Sequence, residues 1–558
     1  MNISLAQINT TPRDFQGNLD KIFAAIAQAA KDQSRIVVFP ELTIPGYLTR
    51  DMVYSRDYVR TCLENLQRVV NVSSKYPNLY IVLGYIDTNR TGVGKPYQNM
   101  AAVINNGVVV ATYAKQLLPF YDVFDEARYF EPGNSPAIVE IDGVKWGITI
   151  CEDLWNDKGS DDYNYKKNPL RAYRKLGIKN IISLNSSPFV RGKPRKRIDL
   201  FSKSELDTLV YVNQIGGQDE LVFDGNSFIL KANEGHGFFE PDMQEGVFTA
   251  TPQKMGLNIN LTASSAENEL ATISKVLDIG IRDYVRKSGF TDVVVASSGG
   301  IDSAIVIAKA CDALGAEHVH GIRMPSIYSS KGSVDDALLL HQNLGCHDYL
   351  HPIAHEDLIK DFAKSFRIVG DYNKVADENI QARLRGNALM FFSNALGALP
   401  LTTGNKTEMA VGYFTIYGDS CGGFAPISDL YKTEVYDLAR YLNHNREIIP
   451  NEIVNKAPSA ELRPDQTDES SLLPYSILDK IVKEYVEEYI GSFDNFAKKY
   501  PKLKTWANTE KAPTEYRRII KLIDSAEYKR RQAAPGIKLS QVAFGTGRRL
   551  PIVKGVLL

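Results

Sequence analysis

Cysteine is scarce in this chain. Its five cysteines, Cys62, Cys151, Cys311, Cys346 and Cys421, are odd in number, scattered over 558 residues and without C-x-x-C spacing. That pattern argues against a disulfide framework and a cysteine zinc site, and fits a reducing cytoplasm. An excess of charge of either sign is missing too: 65 Lys and Arg stand against 66 Asp and Glu, a net charge of −1. Such a balance offers no long-range field for nucleic acid or an anionic membrane. The one basic run, 191–197 (RGKPRKR), reads as a solvated loop. The N-terminus, MNISLAQINT, lacks the basic and apolar regions of a signal peptide. One charge-free stretch, 386–405, has the length to span a bilayer, but Asn387, Asn394, Gly397 and Pro400 interrupt it. It reads as a buried helix followed by a strand. A G-x-x-x-x-G-K-[ST] string occurs nowhere, which excludes the Walker type of phosphate loop.

What the chain does carry is another kind of loop, 292–304 (DVVVASSGGIDSA). The β-branched run 292–296 reads as a buried strand, broken at Ser297-Ser298-Gly299-Gly300 and continued as a helix from Ile301. Paired glycines let backbone N–H groups approach a ligand closely. The helix that follows points its unpaired N–H groups and positive dipole end at the same place, as a phosphate cradle does. A carboxylate, Asp302, beside a polyphosphate site calls for a Mg²⁺ between them. The string 298–303 (SGGIDS) resembles the pyrophosphate loop of the ATP pyrophosphatases, which adenylate a carboxylate or carbonyl, release pyrophosphate and let a nitrogen nucleophile displace AMP.

At this length two to four domains are expected. In the first half, strands are expected at 3–9, 35–39, 79–84, 101–104, 108–113 and 144–150, with a helix over 17–33. This mixture predicts an α/β layered domain. Three strands deliver an ionisable residue at or just past their C-terminal ends: Glu41, Lys115 and Cys151. Each alone is unremarkable, since a cysteine after an apolar strand is usually core. As a set they are coherent. Glu41 can take the thiol proton of Cys151, and Lys115 can hold the oxyanion of a tetrahedral intermediate.

The strings around them, 39–47 (FPELTIPGY), 113–119 (YAKQLLP) and 150–155 (ICEDLW), resemble the three signature segments of the nitrilase superfamily. That resemblance covers about 1–260. It implies a four-layer α–β–β–α sandwich, a Glu41–Lys115–Cys151 catalytic triad and dimerisation through outer helices. Tyr121 and Glu126 resemble the substrate segment of glutamine-using members. In 184–189 (LNSSPF), Ser186 or Ser187 would contact the α-amino and α-carboxylate groups of glutamine.

Pattern thins between 250 and 270, where small polar residues mark a linker. The expected division is 1–260 for the amide-hydrolysing domain, 261–270 for the linker and 271–558 for the nucleotide-using domain. From Leu270 a helix leads to the loop. Strands at 318–324, 348–353 and 397–403 then alternate with helices at 333–344 and 381–396. This predicts a doubly wound parallel sheet, of the kind the adenine nucleotide alpha hydrolases have, with ligands at the strands' C-terminal ends. Asp302 and Glu408 both fall at such ends, and two carboxylates facing a triphosphate are suited to hold Mg²⁺.

Further strings, 379–385 (NIQARLR), 403–408 (TGNKTE), 417–420 (YGDS), 430–434 (LYKTE), 458–462 (PSAEL), 465–469 (DQTDE) and 528–531 (YKRR), resemble in this order the NAD⁺ synthetases over about 270–558. With the nitrilase-like half in front, the chain resembles the glutamine-dependent members of that family end to end. The resemblance implies that Ser297, Ser298, Gly299, Gly300, Ser303, Thr403, Lys432 and Ser459 bind ATP. It implies that Asp302 and Glu408 hold Mg²⁺, and that Asn379, Arg383, Asp419 and Lys529 contact deamido-NAD. Glutamine, ATP and deamido-NAD would be substrates of a homo-oligomer. Ser420 and Tyr528 depart from the glycine and histidine that ammonia-only enzymes tend to have there. Two other readings stay open: amidation of a different adenylated acceptor, and a nitrilase-type amidase fused to a nucleotide-sensing module. GMP and asparagine synthetases share the loop but lack a nitrilase-like half, and sensing alone needs no paired metal carboxylates.

Overall fold

A computed structural model describes the chain apart from residues 158–164, 203, 232–235, 240–242, 251–256, 259–265, 366–374, 465, 469–470 and 556–558. It divides into two compact units, Met1–Ser264 and Ser265–Leu558. Of the expected linker, 261–265 lie outside the described residues, and 266–270 open the helix Ala266–Lys287.

The first unit is built on two sheets. One has six strands, in the order Gly246–Ala250, Ile3–Gln7, Ile36–Val38, Tyr80–Thr88, Tyr97–Asn105, Val108–Ala114. The other has seven, in the order Leu257–Asn258, His236–Phe239, Phe228–Lys231, Thr208–Asn213, Asn180–Asn185, Val144–Ile150, Ile138–Ile141. Alternating side chains sort the apolar residues into layers. Ile3, Leu5, Ile36, Val38, Val82 and Val103 of the first sheet pack with Ile148, Ile150, Ile182, Leu184 and Val210 of the second in one core. The opposite face of the first sheet, with Val37, Phe39 and Ile81, packs on Leu19, Ile22 and Ile26 of the helix Phe15–Lys31 and on Val59 and Val69 of Arg56–Ser73. The other face of the second sheet, with Ile181, Leu209 and Tyr211, packs on Leu170 and Tyr173 of the helix Pro169–Lys175. Helix, sheet, sheet, helix: the expected four layers are present.

The second unit holds a parallel sheet in the order His347–Leu350, Val319–Arg323, Val293–Ser297, Leu399–Leu401. The helices Ile301–Leu314 and Lys331–Leu344 connect its first three strands in sequence. The order reverses between Val293–Ser297 and Leu399–Leu401, and a crevice at such a point is where ligands bind in doubly wound sheets. A helical cluster follows, in which Leu478, Ile481 and Val482 pack on Tyr516, Ile519 and Ile523.

Two expectations about exposure need correcting. The charge-free stretch is indeed a helix, ending at Leu396, and then the strand Leu399–Leu401, but the helix is not buried. Phe391 is 70% exposed, with Met390 and Leu396 also at the surface, so one face of Val375–Leu396 lies open. The helix is too interrupted to be a span, and among the described residues no helix is long and apolar enough to cross a membrane. The basic run is not a solvated loop either. It enters the helix Lys193–Ser202, and Arg197 is fully buried, donating from Nη1 to Asp224 at 2.9 and 3.0 Å and from Nη2 to the Ser187 carbonyl at 2.8 Å. A carboxylate on a distant strand makes that burial possible, and spacing along the chain does not reveal it.

Candidate active sites

The first site forms where strands of both sheets end. Glu41 follows the strand Ile36–Val38 closely, and its turn lies hard against Gly84, where an added Cβ would fall 2.2 Å from the Leu42 nitrogen. Lys115 follows Val108–Ala114, and Cys151 follows Val144–Ile150. Cys151 opens a 3-10 turn with φ of +43°, a left-handed conformation that a side chain other than glycine rarely takes and that recurs at functional sites.

Asp153 ties the cysteine turn to the lysine strand. Its Oδ1 accepts from the Gln116 and Leu117 N–H groups at 3.0 and 2.8 Å, and its Oδ2 from the Tyr113 hydroxyl and the Ile150 N–H at 2.8 and 3.0 Å. Burial lifts its carboxyl to about 6, against the pull of these donors. Asp153 was not among the expected site residues, although it stands two residues beyond the thiol.

Lys115 is the hub. Its ammonium lies 2.6 Å from Glu41 Oε1 and 2.8 Å from both oxygens of Glu126. Asn99 donates to Glu41 at 2.8 Å, Tyr47 donates to Glu126 at 3.1 Å, and the Ser186 N–H donates to Glu41 Oε2 at 3.2 Å. All are buried. Burial works against the Lys115 charge, but Glu126 and Glu41 outweigh it and hold the lysine protonated well above its ordinary range. Burial raises Glu41 to about 7, with Lys115 pulling the other way and Glu126 adding to the rise. Burial, then the Glu41 charge, pushes the Cys151 thiol well up, and Lys115 opposes them. A neutral thiol, a carboxylate poised near neutrality and a fixed ammonium therefore stand within electrostatic reach of one another.

The residues expected to contact substrate divide. Glu126 belongs to the lysine cluster, whereas Tyr121 donates to Glu152 at 3.0 Å, and Tyr165 donates to the same carboxylate at 2.9 Å. Ser186 is spent on Glu41 and Gln214, its hydroxyl 3.1 Å from the Glu41 carbonyl and 3.0 Å from Gln214 Oε1. Ser187 is buried behind it, its N–H donating to Asn213 at 2.8 Å. Asn99 had no signal in the sequence, since nothing local sets it apart from Gln98 and Asn105, the other polar residues of its strand.

The second site is a cavity of about 580 Å³ at the C-terminal ends of the parallel strands. Ser297, Ser298, Gly299, Gly300, Asp302, Ser303, Thr403, Glu408, Lys432 and Ser459 line it, as do Asn379, Asp419 and Lys529. Arg383 does not. It is exposed, donating to the Ile416 carbonyl at 3.3 Å, and Arg385 two residues later lines the cavity instead. Two residues are about half a helical turn, which puts the two arginines on opposite faces, and the hydrophobic pattern of this helix is too weak to tell which face is inward.

The loop needs its glycine at 299 twice over. The backbone there has φ of +73°, and a Cβ would meet the Ser333 carbonyl oxygen at 2.1 Å. Gly300 caps the helix Ile301–Leu314, and the Ser303 hydroxyl donates to its carbonyl at 3.0 Å. Asn405 joins two elements: it accepts from the Glu408 N–H at 3.0 Å and donates to Asp302 Oδ1 at 3.0 Å. Its position three residues before Glu408 is a helix-capping signal that could have identified it. Lys432 sits between the carboxylates, bonded to Asp302 and lying 3.1 Å from Glu408. Burial lifts Glu408 to about 8, with Lys432 lowering it and Asp302 raising it. Asp419 accepts from the Thr415 N–H at 2.8 Å, and the Thr415 hydroxyl donates to Asn379 at 2.7 Å. Lys529 donates to the carbonyls of Gly412 and Phe414, both at 2.8 Å. Ser459 is tied to the Gln466 carbonyl at 2.6 Å. Of 465–469, residues 465 and 469 lie outside the described residues, and Asp468 accepts from the Tyr475 hydroxyl at 2.8 Å.

Residues 2–194 match the carbon-nitrogen hydrolase family, and 273–533 match the NAD synthase family. The glutamine-dependent NAD(+) synthetase of Thermotoga maritima is 38% identical over 596 residues, covering 99% of this chain and 98% of the relative. That of Acinetobacter baylyi is 37% identical over 564 residues, covering 99% and 98%. The glutamine-dependent NAD+ synthetase of Acinetobacter baumannii, solved in complex with adenosine diphosphate, superimposes with a TM-score of 0.73 at 33% identity, covering 99% and 98%. A glutamine-dependent NAD(+) synthetase of Cytophaga hutchinsonii, at 22% identity, shares the fold with a TM-score of 0.81 over 99% and 98%. A buried carboxylate–lysine–thiol cluster in one unit and a glycine loop with paired carboxylates in the other thus stand in a chain that belongs to the glutamine-dependent NAD⁺ synthetase family.

Proposed function

We propose that the first unit hydrolyses glutamine and that the second uses the ammonia to amidate deamido-NAD⁺ at the expense of ATP. The observation that carries this reading is that one chain holds two complete sets of groups: Glu41, Lys115 and Cys151 around a buried ammonium, and Asp302, Glu408 and Lys432 at the mouth of a glycine loop. Glu41 takes the thiol proton as Cys151 sulfur attacks the amide carbon of glutamine. Lys115 stabilises the oxyanion, and Glu126 holds Lys115 in position. Ammonia leaves with a proton returned from Glu41, and water then attacks the γ-glutamyl thioester to release glutamate and restore the thiol.

In the second unit the nicotinate carboxylate of deamido-NAD⁺ attacks the α-phosphorus of ATP, pyrophosphate leaves, and ammonia displaces AMP to give the amide of NAD⁺. Ser298, Gly299, Gly300 and Ser303 cradle phosphate, with Thr403 and Ser459 beside it. Lys432 supplies positive charge to the departing pyrophosphate. Asn379, Asp419 and Lys529 form the end of the cavity suited to the nicotinate nucleotide, with Arg385 beside them.

The donors present fit Mg²⁺. Asp302 and Glu408 offer hard oxygen ligands, and burial raises Glu408, with the neighbouring Asp302 charge adding to the rise. Among the described residues no third His, Cys, Asp or Glu completes a protein cage, which suits an ion that shares its coordination with phosphate and water. When bound, it would neutralise charge on the triphosphate. A cytoplasmic enzyme acting as a homo-oligomer completes the reading, supported by five free cysteines and by the open apolar face of Val375–Leu396.

The decisive experiment supplies ATP, Mg²⁺, deamido-NAD⁺ and glutamine. NAD⁺, AMP, pyrophosphate and glutamate should form in equal amounts. Glutamate without NAD⁺, or pyrophosphate only with a different acceptor, would refute the assignment.

A further inference from the structure

Four polar residues, two of them at strand ends, make a chain that the proposed chemistry leaves unused. Ser297 closes the strand Val293–Ser297, Arg323 closes its neighbour Val319–Arg323, and both line the cavity. Behind them stand His341, on the helix Lys331–Leu344, and Asp348, on the strand His347–Leu350. Neither of these lines the cavity. His341 Nε2 is 3.0 Å from Ser297 Oγ, and its Nδ1 is 2.6 Å from Asp348 Oδ1. Asp348 also accepts from Arg323 Nε at 2.7 Å and Nη2 at 2.6 Å, a two-point grip on the guanidinium. The arrangement needs room that only glycine leaves. A Cβ at Gly321, the residue paired with Asp348 in the sheet, would fall 2.4 Å from the His341 ring.

The proton positions follow from the partners. Asp348, an acceptor, puts the ring proton on Nδ1, so the neutral ring shows a lone pair at Nε2. Ser297 must then donate its O–H to His341, and only lone pairs of its oxygen remain for the cavity. A phosphate is an acceptor and cannot use them. An adenine amino group or a ribose hydroxyl can. We propose that His341 is a positioning residue of the ATP site, which turns the Ser297 hydroxyl into an acceptor for a donor on the nucleoside and, through Asp348, fixes Arg323 against the same ligand. This rests on the reading of the cavity as the ATP site. An ordinary buried histidine needs its two nitrogens satisfied, but here one meets Ser297, which lines the cavity, and the other meets Asp348, which grips a second lining residue, Arg323.

The groups acting on the His341 ring are Asp348, Arg323 and Ser297, and the Cys346 thiol lies instead against the His341 backbone carbonyl at 3.9 Å. Burial lowers the histidine pKa, with Arg323 acting the same way and Asp348 against, so the ring is neutral at pH 7. Arg323 and His341 hold Asp348 below its ordinary range despite burial, so it does not titrate there.

The test measures KM for ATP and kcat in ammonia-driven NAD⁺ synthesis, with the unfolding temperature as a check on folding. His341→Ala should raise KM for ATP about tenfold and leave kcat within about twofold. His341→Gln can accept from Ser297 and donate to Asp348 but cannot ionise. It should restore KM to within about twofold of wild type and abolish the extra rise in KM that wild type shows as pH falls and the ring protonates. Inosine triphosphate and 2′-deoxy-ATP identify the donor: the analogue disfavoured by wild type should lose that penalty in Ser297→Ala. A KM for ATP unchanged in His341→Ala, a Gln variant no better than Ala, or neither penalty relieved would overturn the proposal. Failure of the site reading itself looks different, since Asp302→Asn would then leave NAD⁺ synthesis intact.

Discussion

The two sites solve opposite problems. Around Cys151 everything is closed: Glu41, Lys115 and Glu126 are buried, and each satisfies another with charge. Around Ser298–Gly300 the protein leaves a cavity of about 580 Å³ and presents backbone, hydroxyls and two half-compensated carboxylates to whatever enters. A thioester chemistry that must exclude competing reactions is served by buried, mutually fixed groups whose pKa values are set by desolvation. A site for a large, highly charged nucleotide must stay open and keep its charge incomplete until the ligand arrives. Burial sets the chemistry of one, and ligand charge completes the other.

The sharpest way to break this comparison is to remove the sulfur. Cys151→Ala should cut glutamine-driven NAD⁺ synthesis by about 10³-fold or more while synthesis from added ammonia persists. Equal loss of both would abolish the division of labour. Asp302→Asn or Glu408→Gln should do the converse, lowering NAD⁺ formation about 10²- to 10³-fold with glutamine hydrolysis retained. Glutamate release measured alongside NAD⁺ separates the two. Glu126→Gln probes the closed site more gently. It strips the ammonium of one of its two carboxylates, and breaking a buried pair of this kind costs about 3 kcal/mol, so thermal unfolding should move down and glutaminase turnover should fall about 10²-fold. A variant as stable and active as wild type would show that Glu126 does not hold Lys115.

The smallest effect is in pH. A base must be deprotonated to accept the thiol proton, and burial puts Glu41 at about 7. Glutaminase kcat/KM should therefore fall about tenfold per unit as pH drops below 7, and level off above it. A profile flat from pH 5.5 to 7.5 would remove Glu41 as the base. Glu408, at about 8 without a cation, should make divalent-ion affinity rise with pH over the same range, because the incoming ion must displace its proton.

Much of this was legible beforehand for local reasons. The strands that carry Glu41, Lys115 and Cys151 announce themselves by β-branched runs that stop at a polar residue, and Gly299 lies where a strand gives way to a helix. Contacts between distant segments were not legible. That Glu126, expected at the glutamine site, also grips Lys115 has no signal in the sequence. Arg383 was expected inside the cavity, where Arg385 stands. That Lys432, expected at the ATP site, also bonds Asp302, 130 residues away, has no signal in the sequence. Arg197 was expected in solvent and is buried on Asp224.

Sequence alone marked the candidates Glu41, Lys115 and Cys151 and the glycine loop, and determined the layered architecture of each unit and the family, because period, turn chemistry and short motifs are properties of neighbouring residues. Tertiary structure decided which carboxylate compensates which ammonium, which arginine faces the cavity, and that His341 reaches Ser297 through the space left by Gly321. Those outcomes depend on desolvation and on distances between segments far apart in the chain, and a charge buried on one strand is made tolerable only by what another strand brings to it.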